Sequence, residues 1–209
     1  MKETVLTGIA TLALALGAFA QGTIDLDNSK GDHGVYADNY FSGTYAYSGT
    51  YGMEVWELSG VTSVPAGINL PPIYGGTGMS AYHNMMADAF KKEATFADQT
   101  MLDGTFALGQ VTLPDVTPAG STVVLALAVW NNSAPSWGAG AAQGNFQTGV
   151  VAFLNPTANP GTVPLVTPPA LTGWTGGIGD LVLTPSPEPD ALALAGLGVA
   201  TVLVLRRRR

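Results

Sequence analysis

The sequence contains no cysteine, and it contains no arginine before its last four positions. The absence of cysteine excludes disulfide bonds, thiolate nucleophiles, zinc–thiolate sites and iron–sulfur clusters. Between Gln21 and Ser186, three lysines stand against twelve acidic residues, which gives this span a formal charge of −9. Because so acidic a span repels phosphate backbones, nucleic acid is excluded as a partner.

Charged residues are also scarce, whereas residues that interrupt regular structure are abundant. Charged side chains make up 11% of the 209 residues, against about 25% in an ordinary soluble domain. The chain contains 27 glycines and 14 prolines. This composition argues against a coiled coil and against a charged disordered tail, and the length predicts one domain with short terminal segments.

The first 20 residues are typical of a secretory signal peptide. Lys2 provides a positive start, and an apolar run then continues to two small residues at the positions that signal peptidase reads, Ala18 and Ala20. Cleavage would leave Gln21 as the new N-terminus. The Sec translocon and signal peptidase are therefore predicted partners of the precursor, and an uncleaved anchor or a buried helix is the alternative.

The C-terminus has three parts in order: Pro187-Glu188-Pro189, an uncharged apolar stretch at 191–205, and a block of four arginines. As a helix, the apolar stretch would rise about 22 Å, which is short of the roughly 30 Å hydrocarbon core, although arginine stems recover some length. Positively charged residues that flank a transmembrane helix stay on the cytoplasmic side, so these arginines orient such a helix with the rest of the chain outside. The orienting residues are Arg206, Arg207, Arg208 and Arg209.

This tail resembles the PEP-CTERM sorting signal of exopolysaccharide-producing Gram-negative bacteria. The resemblance covers residues 187–209, and Asp190 stands where that family more often has serine or threonine. It implies that an exosortase-type enzyme recognises and removes the tail, in the manner of other temporary membrane anchors. It further implies a precursor at the inner membrane and a mature protein at the cell surface or in the extracellular matrix. An uncleaved, C-terminally membrane-anchored protein is the alternative.

Strand patterns dominate residues 21–183, which predict one extracellular, mainly β domain built as a single β-sandwich. The pattern leaves a jelly-roll and an immunoglobulin-like topology open. Residues 121–131 are apolar on both faces, which predicts a central strand, and residues 106–113 are its expected partner. Further strands are predicted at 53–58, 146–154 and 178–184.

One short helix interrupts the strand patterns. Apolar residues at helical spacing predict it from about Ala81 to Lys92. After the β domain, a proline-rich linker is predicted at 184–190, and it contains the Pro-Glu-Pro motif. The linker serves as a spacer between the domain and the membrane.

Patterns that point to catalysis are weak. The sequence has no Gly-x-Ser-x-Gly motif, and only His33 and His83 could act as an imidazole base. Glycoside hydrolysis needs two carboxyl groups across a cleft, but Glu54 and Glu57 are three positions apart on a predicted strand and would point to opposite faces. We therefore predict neither enzymatic activity nor a cofactor, with an exported polysaccharide-active hydrolase as the alternative.

Acidic residues near the start of the β domain form a weak candidate for a calcium site. Asp25, Asp27 and Asp32 lie close in sequence to Asn28 and His33, and oxygen ligands suit Ca²⁺. The order of residues is not that of an EF-hand loop. Solvated acids on a strand and a turn are the alternative, and no metal site is predicted.

Aromatic side chains suggest a binding hypothesis. Exposed rings can stack on sugar faces, and a protein held in a matrix would meet exopolysaccharide, so exopolysaccharide is a candidate partner. The alternative is that these rings belong to the core. The sequence thus predicts a structural or adhesive exported protein. The candidate stacking residues are Tyr45, Tyr47, Tyr51, Trp56, Trp137 and Trp174.

Overall fold

A computed structural model of the chain describes residues 21–29, 31, 33–39, 43–69, 77–116, 118–131, 134–142, 147–162, 166–174 and 180–185. Within these ranges the chain forms nine strands and two short helices, so the prediction of a mainly β domain is confirmed. The strands are β1 Gly22–Asp27, β2 Val35–Asn39, β3 Gly43–Ala46, β4 Gly49–Leu58, β5 Lys91–Met101, β6 Ala107–Leu113, β7 Thr122–Asn131, β8 Gln147–Pro156 and β9 Leu181–Pro185. The helices are α1 Thr77–Ala87 and α2 Trp137–Ala142.

Seven strands form one mixed sheet in the order β3-β2-β9-β8-β7-β4-β5, and β1 pairs with β6 in a separate antiparallel sheet. Neighbours in the large sheet are antiparallel except for β2 and β9, which run parallel. The predicted pairing of residues 106–113 with residues 121–131 is wrong, because β7 lies between β8 and β4. The two sheets differ so much in size that the prediction of a single β-sandwich is not confirmed.

The central strand β7 is buried on both faces, as the sequence predicts. Eight successive residues, from Val123 to Trp130, have little or no exposed surface. The odd-numbered ones pack in a first core that β1 and β6 cover, and the even-numbered ones pack in a second core beneath α1 and α2. Such a continuous apolar run fits a strand that is covered on both sides.

Helix α1 ends earlier than the predicted residue 92. Ala89 has a φ of 60°, and the backbone N–H groups of Ala89 and Phe90 donate to the carbonyl oxygens of Met86 and Met85. This is a Schellman motif, which ends a helix with one residue in the left-handed region. Phe90 is buried by this turn and Lys91 begins β5, so the apolar spacing continues after the helix has stopped. The second helix, α2, was not predicted.

Strand β9 links the two parts of the large sheet, because it lies between β2 and β8. It continues to Pro185, and Thr184 is buried, so the folded region extends past the predicted boundary at residue 183.

No helix within the described ranges is long and apolar enough to cross a membrane. The predicted signal peptide at 1–20 and the predicted sorting helix at 191–205 lie outside those ranges.

Candidate functional site

Three carboxyl groups meet where the end of β4, the start of β5 and the segment after β6 come together. Glu57, Glu93 and Asp115 each offer an oxygen, and these three oxygens all lie within 4.8 Å of one another. We call these three residues the acidic cluster. Glu57 is 1% exposed, Glu93 is half-buried and Asp115 is exposed. The cluster is therefore open to solvent on one side and buried on the other.

The pairing of β4 with β5 explains how Glu57 and Glu93 come together. Glu57 is opposite Lys91 in the antiparallel register, and a bulge follows, in which Trp56 is opposite Lys92 and Val55 is opposite Ala94. Glu93 is the extra residue of this bulge and has no direct partner on β4. Bulges of this kind redirect a side chain and are common beside functional sites.

One lysine and one serine contact the acidic cluster. Nζ of Lys91 lies 2.7 Å from Oδ2 of Asp115 in an exposed ion pair. The hydroxyl of Ser59 donates to Oε1 of Glu57 over 2.7 Å. Oε2 of Glu57 is buried and has no hydrogen-bond partner among the residues that the structure describes. Three carboxyl groups thus share one ammonium group.

This crowding shifts the pKa values of the ionisable groups in and beside the cluster. Burial, followed by the charges of Glu57 and Asp115, raises the pKa of Glu93 to about 7. Burial also raises the pKa of Glu57, although the hydrogen bond from Ser59 opposes that change. The hydrogen bond to Asp115 raises the pKa of Lys91, which keeps its positive charge. Near neutral pH, the net charge of the cluster therefore changes as Glu93 gains or loses its proton.

We expect the metal-free chain to lose thermal stability as pH rises from about 4.5, the ordinary pKa of glutamate, through about 7. The folded state binds the Glu93 proton more tightly than the unfolded state, so stability is present at low pH and lost as the folded group ionises. Glu57, Asp115 and Lys91 are the charged groups that act on Glu93. Circular dichroism melts in a chelating buffer would measure this decline.

The matched variant for the pH experiment is Glu93→Gln, which cannot ionise. We expect its melting temperature to change less with pH than that of the natural chain over the same window. Asp98→Asn on the same strand is the control, because Asp98 is exposed and outside the cluster. Parallel pH curves for Glu93→Gln and the natural chain would contradict the assignment.

Five of the six aromatic residues predicted to stack on sugars belong to the interior, which corrects that prediction. A ring that is packed against the core cannot present its face to a sugar. The sixth, Tyr45, lies on β3, and its side chain is outside the described part of the structure. The buried residues, all 9% exposed or less, are Tyr47, Tyr51, Trp56, Trp137 and Trp174.

Glu54 and Glu57 lie on opposite faces of the large sheet, as their spacing predicts. Alternation along β4 places Glu57 on the first-core face, with Met53 and Val55, and Glu54 on the second-core face, with Trp56. Both residues are 1% exposed. The two carboxyl groups therefore do not face each other across a cleft.

Glu54 is held by its own set of partners on the second-core face. Its Oε2 accepts a hydrogen bond from Nε1 of Trp56 over 3.1 Å, and its Oε1 lies 3.5 Å from Nζ of Lys92. Nζ of Lys92 also lies 5.8 Å from the centre of the Trp56 ring. Because both carboxylate oxygens have partners, this group fits a structural ion pair.

Of the three acids in the weak calcium candidate, the structure describes two. Asp25 and Asp27 are half-buried on β1, and Asp32 lies outside the described residues. Oδ1 of Asp27 accepts a hydrogen bond from the backbone N–H of Ser29 over 2.8 Å. In the described ranges, only the acidic cluster brings three potential ligands together. The weak calcium candidate at Asp25, Asp27 and Asp32, at which no metal site is predicted, is not tested, because Asp32 lies outside the described residues.

Neither histidine is part of the acidic cluster. Nδ1 of His33 lies 3.3 Å from Oδ1 of Asp180, and the His33 ring stacks on Trp174 with 6.2 Å between ring centres. Asp180 also accepts a hydrogen bond from the backbone N–H of Gly34 over 3.2 Å. His33 thus helps to join the start of β2 to the start of β9. His83 is exposed on α1.

The residues of the two terminal signals lie outside the described ranges, except for Gln21. Comparison with family models matches residues 187–209 to the PEP-CTERM protein-sorting motif. No curated protein and no solved structure matches the chain. The match confirms the resemblance of the tail. The motif implies processing by an exosortase-type enzyme and indicates an exported protein with a transient membrane anchor.

Proposed function

We propose that this chain, which carries the PEP-CTERM protein-sorting motif at residues 187–209, is an exported structural or adhesive protein without enzymatic activity. Its precursor is held at the inner membrane, and the mature protein resides at the cell surface or in the extracellular matrix. The sorting motif is the observation that carries this proposal, because it implies that an exosortase-type enzyme removes the tail.

The two ends of the sequence support the same route of export. A signal peptide in the first 20 residues would bring the chain to the Sec translocon and to signal peptidase. The apolar stretch at 191–205 would hold the precursor in the membrane as a helix. The four terminal arginines would stay in the cytoplasm, so the β domain would lie outside.

The placement of Glu54 and Glu57 does not support glycoside hydrolysis by this pair. A glycosidase positions two carboxyl groups on either side of one glycosidic bond, whereas Glu54 and Glu57 lie on opposite faces of a sheet. Five of the six candidate rings are buried, so they are not available to stack on exopolysaccharide. A contact with exopolysaccharide would use hydroxyl, amide and acidic groups of the surface in place of stacking on these rings.

Mass spectrometry of the mature protein from an exosortase-bearing host tests the route. We expect one new end near Gln21 and the other near Pro187, with the apolar stretch and the arginines removed. A variant with Pro187-Glu188-Pro189 changed to alanines is the matched comparison, and it should keep its tail and remain with the membrane fraction. A surface protein that retains Arg206–Arg209 would contradict the proposal and support the uncleaved anchor.

The proposed role needs a separate experiment. The protein isolated from the host surface is incubated with exopolysaccharide from the same host, and the bound fraction and the released reducing ends are both measured. Binding without release of sugar ends supports the structural or adhesive role. Release that depends on Glu54 or Glu57 would support the exported hydrolase. Absence of both binding and release would contradict a polysaccharide-associated role.

A further inference from the structure

We propose that the acidic cluster of Glu57, Glu93 and Asp115 binds one divalent cation, with Ca²⁺ as the favoured ion. This site is distinct from the sorting signal and from the acidic residues on β1. Two independent observations support it: the convergence of the three carboxyl groups, and a buried oxygen of Glu57 that lacks a partner.

The spacing of the carboxylate oxygens fits a shared cation. Oxygen ligands lie about 2.3–2.6 Å from Ca²⁺, so two oxygens on one ion are at most about 5 Å apart. The three oxygens of the cluster lie within 4.8 Å of one another. Carboxylates can bind with one or both oxygens, so the three residues can supply a large part of the shell and water can complete it on the exposed side.

Oε2 of Glu57 is the second observation. Buried polar atoms almost always have a hydrogen-bond partner, yet within the described part of the chain this oxygen has none. Glu57 itself is 1% exposed and contributes to the cluster. A cation at the cluster would supply the missing partner to a carboxylate that water reaches poorly.

The nearby lysines do not fill this role. Nζ of Lys91 is engaged by Asp115 over 2.7 Å, and Nζ of Lys92 is directed to Glu54 on the opposite face of the sheet. With all three acids ionised, the cluster and Lys91 together carry a charge of −2. A divalent cation matches that charge.

The ligand set favours calcium over other divalent ions. All three side chains offer oxygen, and neither histidine nor cysteine is among them, so zinc and copper are poor matches. Magnesium requires a smaller octahedral shell and releases its water reluctantly, whereas calcium accepts irregular carboxylate shells. With few protein ligands and an open side, the expected dissociation constant is about 10⁻⁴–10⁻³ M, as in other weak extracellular sites.

A cation here would connect separate parts of the fold. Glu57 lies next to the end of β4 and Glu93 near the start of β5, whereas Asp115 follows β6 of the small sheet. One bound ion would therefore tie the small sheet to the edge of the large one. Because the unfolded chain does not bring these residues together, binding would stabilise the folded state.

Thermal unfolding of the purified full-length chain in mild detergent tests the site. The chain is stripped with EDTA, dialysed, and melted at increasing CaCl₂ up to about 10 mM, a range that covers weak calcium sites. We expect a saturable rise in melting temperature that NaCl of equal ionic strength does not reproduce and that MgCl₂ reproduces less well. Isothermal titration calorimetry should count one calcium ion per chain at this site.

Variants assign the calcium response to the cluster. Glu57→Gln and Glu93→Gln should each weaken calcium binding by about tenfold or more, because each removes a charged ligand. Without calcium they should melt no lower than the natural chain, since they also remove repulsion. Asp98→Asn, an exposed acid on β5, is the control and should keep the full response.

Glu93→Gln keeps the test decisive if Glu57→Gln fails to fold, because Glu93 is only half-buried. An equal calcium response in Glu93→Gln and in the natural chain would overturn the proposal. The absence of any saturable response in the natural chain would also overturn it.

Discussion

Replacing Gly52 with alanine is expected to destabilise the protein by about 3 kcal/mol or more, which is the upper range for overfilling a packed core. Gly52 is opposite Trp130 in the pairing of β4 with β7, and a methyl group there would overlap Cε2 and Cζ2 of the indole ring. The ring has no exposed surface and its Nε1 donates to the carbonyl oxygen of Ala134 over 2.9 Å. It therefore cannot move aside without breaking other contacts. Equilibrium urea unfolding would measure the loss.

Two comparisons make the Gly52 result specific. Gly31→Ala makes the same chemical change where the nearest atom would be 3.5 Å away, and it should change stability by less than about 0.5 kcal/mol. Trp130→Leu should relieve the overlap, so the double variant should be more stable than the sum of the single effects predicts, by about 1 kcal/mol or more. Strict additivity would show that Gly52 is not needed to accommodate the Trp130 ring.

The second large effect is expected at Asn28, a buried amide that joins three segments. Its Nδ2 donates to the carbonyl oxygens of His33 and Gly104 over 3.1 and 3.0 Å, and its Oδ1 accepts from the backbone N–H of Phe106 over 2.6 Å. Asn28→Ala removes all three bonds and leaves buried groups without partners. We expect a loss of about 2–4 kcal/mol in the free energy of unfolding, measured by urea denaturation.

Asn28→Asp separates the donor from the acceptor role. The carboxylate could still accept from Phe106, but it would face two carbonyl oxygens with no proton to donate, so this variant should also be destabilised at neutral pH. Asn159→Ala is the control, because among the described residues Oδ1 of Asn159 accepts one local hydrogen bond, from the backbone N–H of Gly161 in an exposed turn. A loss at Asn28 no greater than at Asn159 would show that the bridge contributes little.

The sequence predicts individual strands better than it predicts their partners. The apolar run of β7 is a local signal, and both its position and its burial on two faces are confirmed. Its neighbours β4 and β8 are set by contacts between distant residues, which no local pattern encodes. Polar edge strands are also hard to recognise. The pattern of β5 does not predict a strand, because its residues alternate weakly and remain largely exposed.

The candidate site shows the same limit. Glu57 could have been noted as an acid at a position that alternates with Met53 and Val55 on a buried face. Glu93 and Asp115, however, reach it only through a bulge in β5 and through the segment after β6. The prediction of exposed, sugar-stacking aromatic residues fails for another reason. Trp137 and Trp174 have glycine neighbours, which suggest an exposed loop, but both rings are buried.

The position of β9 in the chain would make completion of the fold depend on a late step of export. This strand is the last described element, and it alone bridges the β2–β3 hairpin and the strands from β8 to β5. If the chain leaves a translocon from its N-terminus, the β2–β3 hairpin could not pair with β9 until almost all of the domain had crossed. The sorting motif begins two residues after Pro185. A temporary membrane anchor would thus give β9, the last strand to cross, time to insert into the sheet before the protein is released.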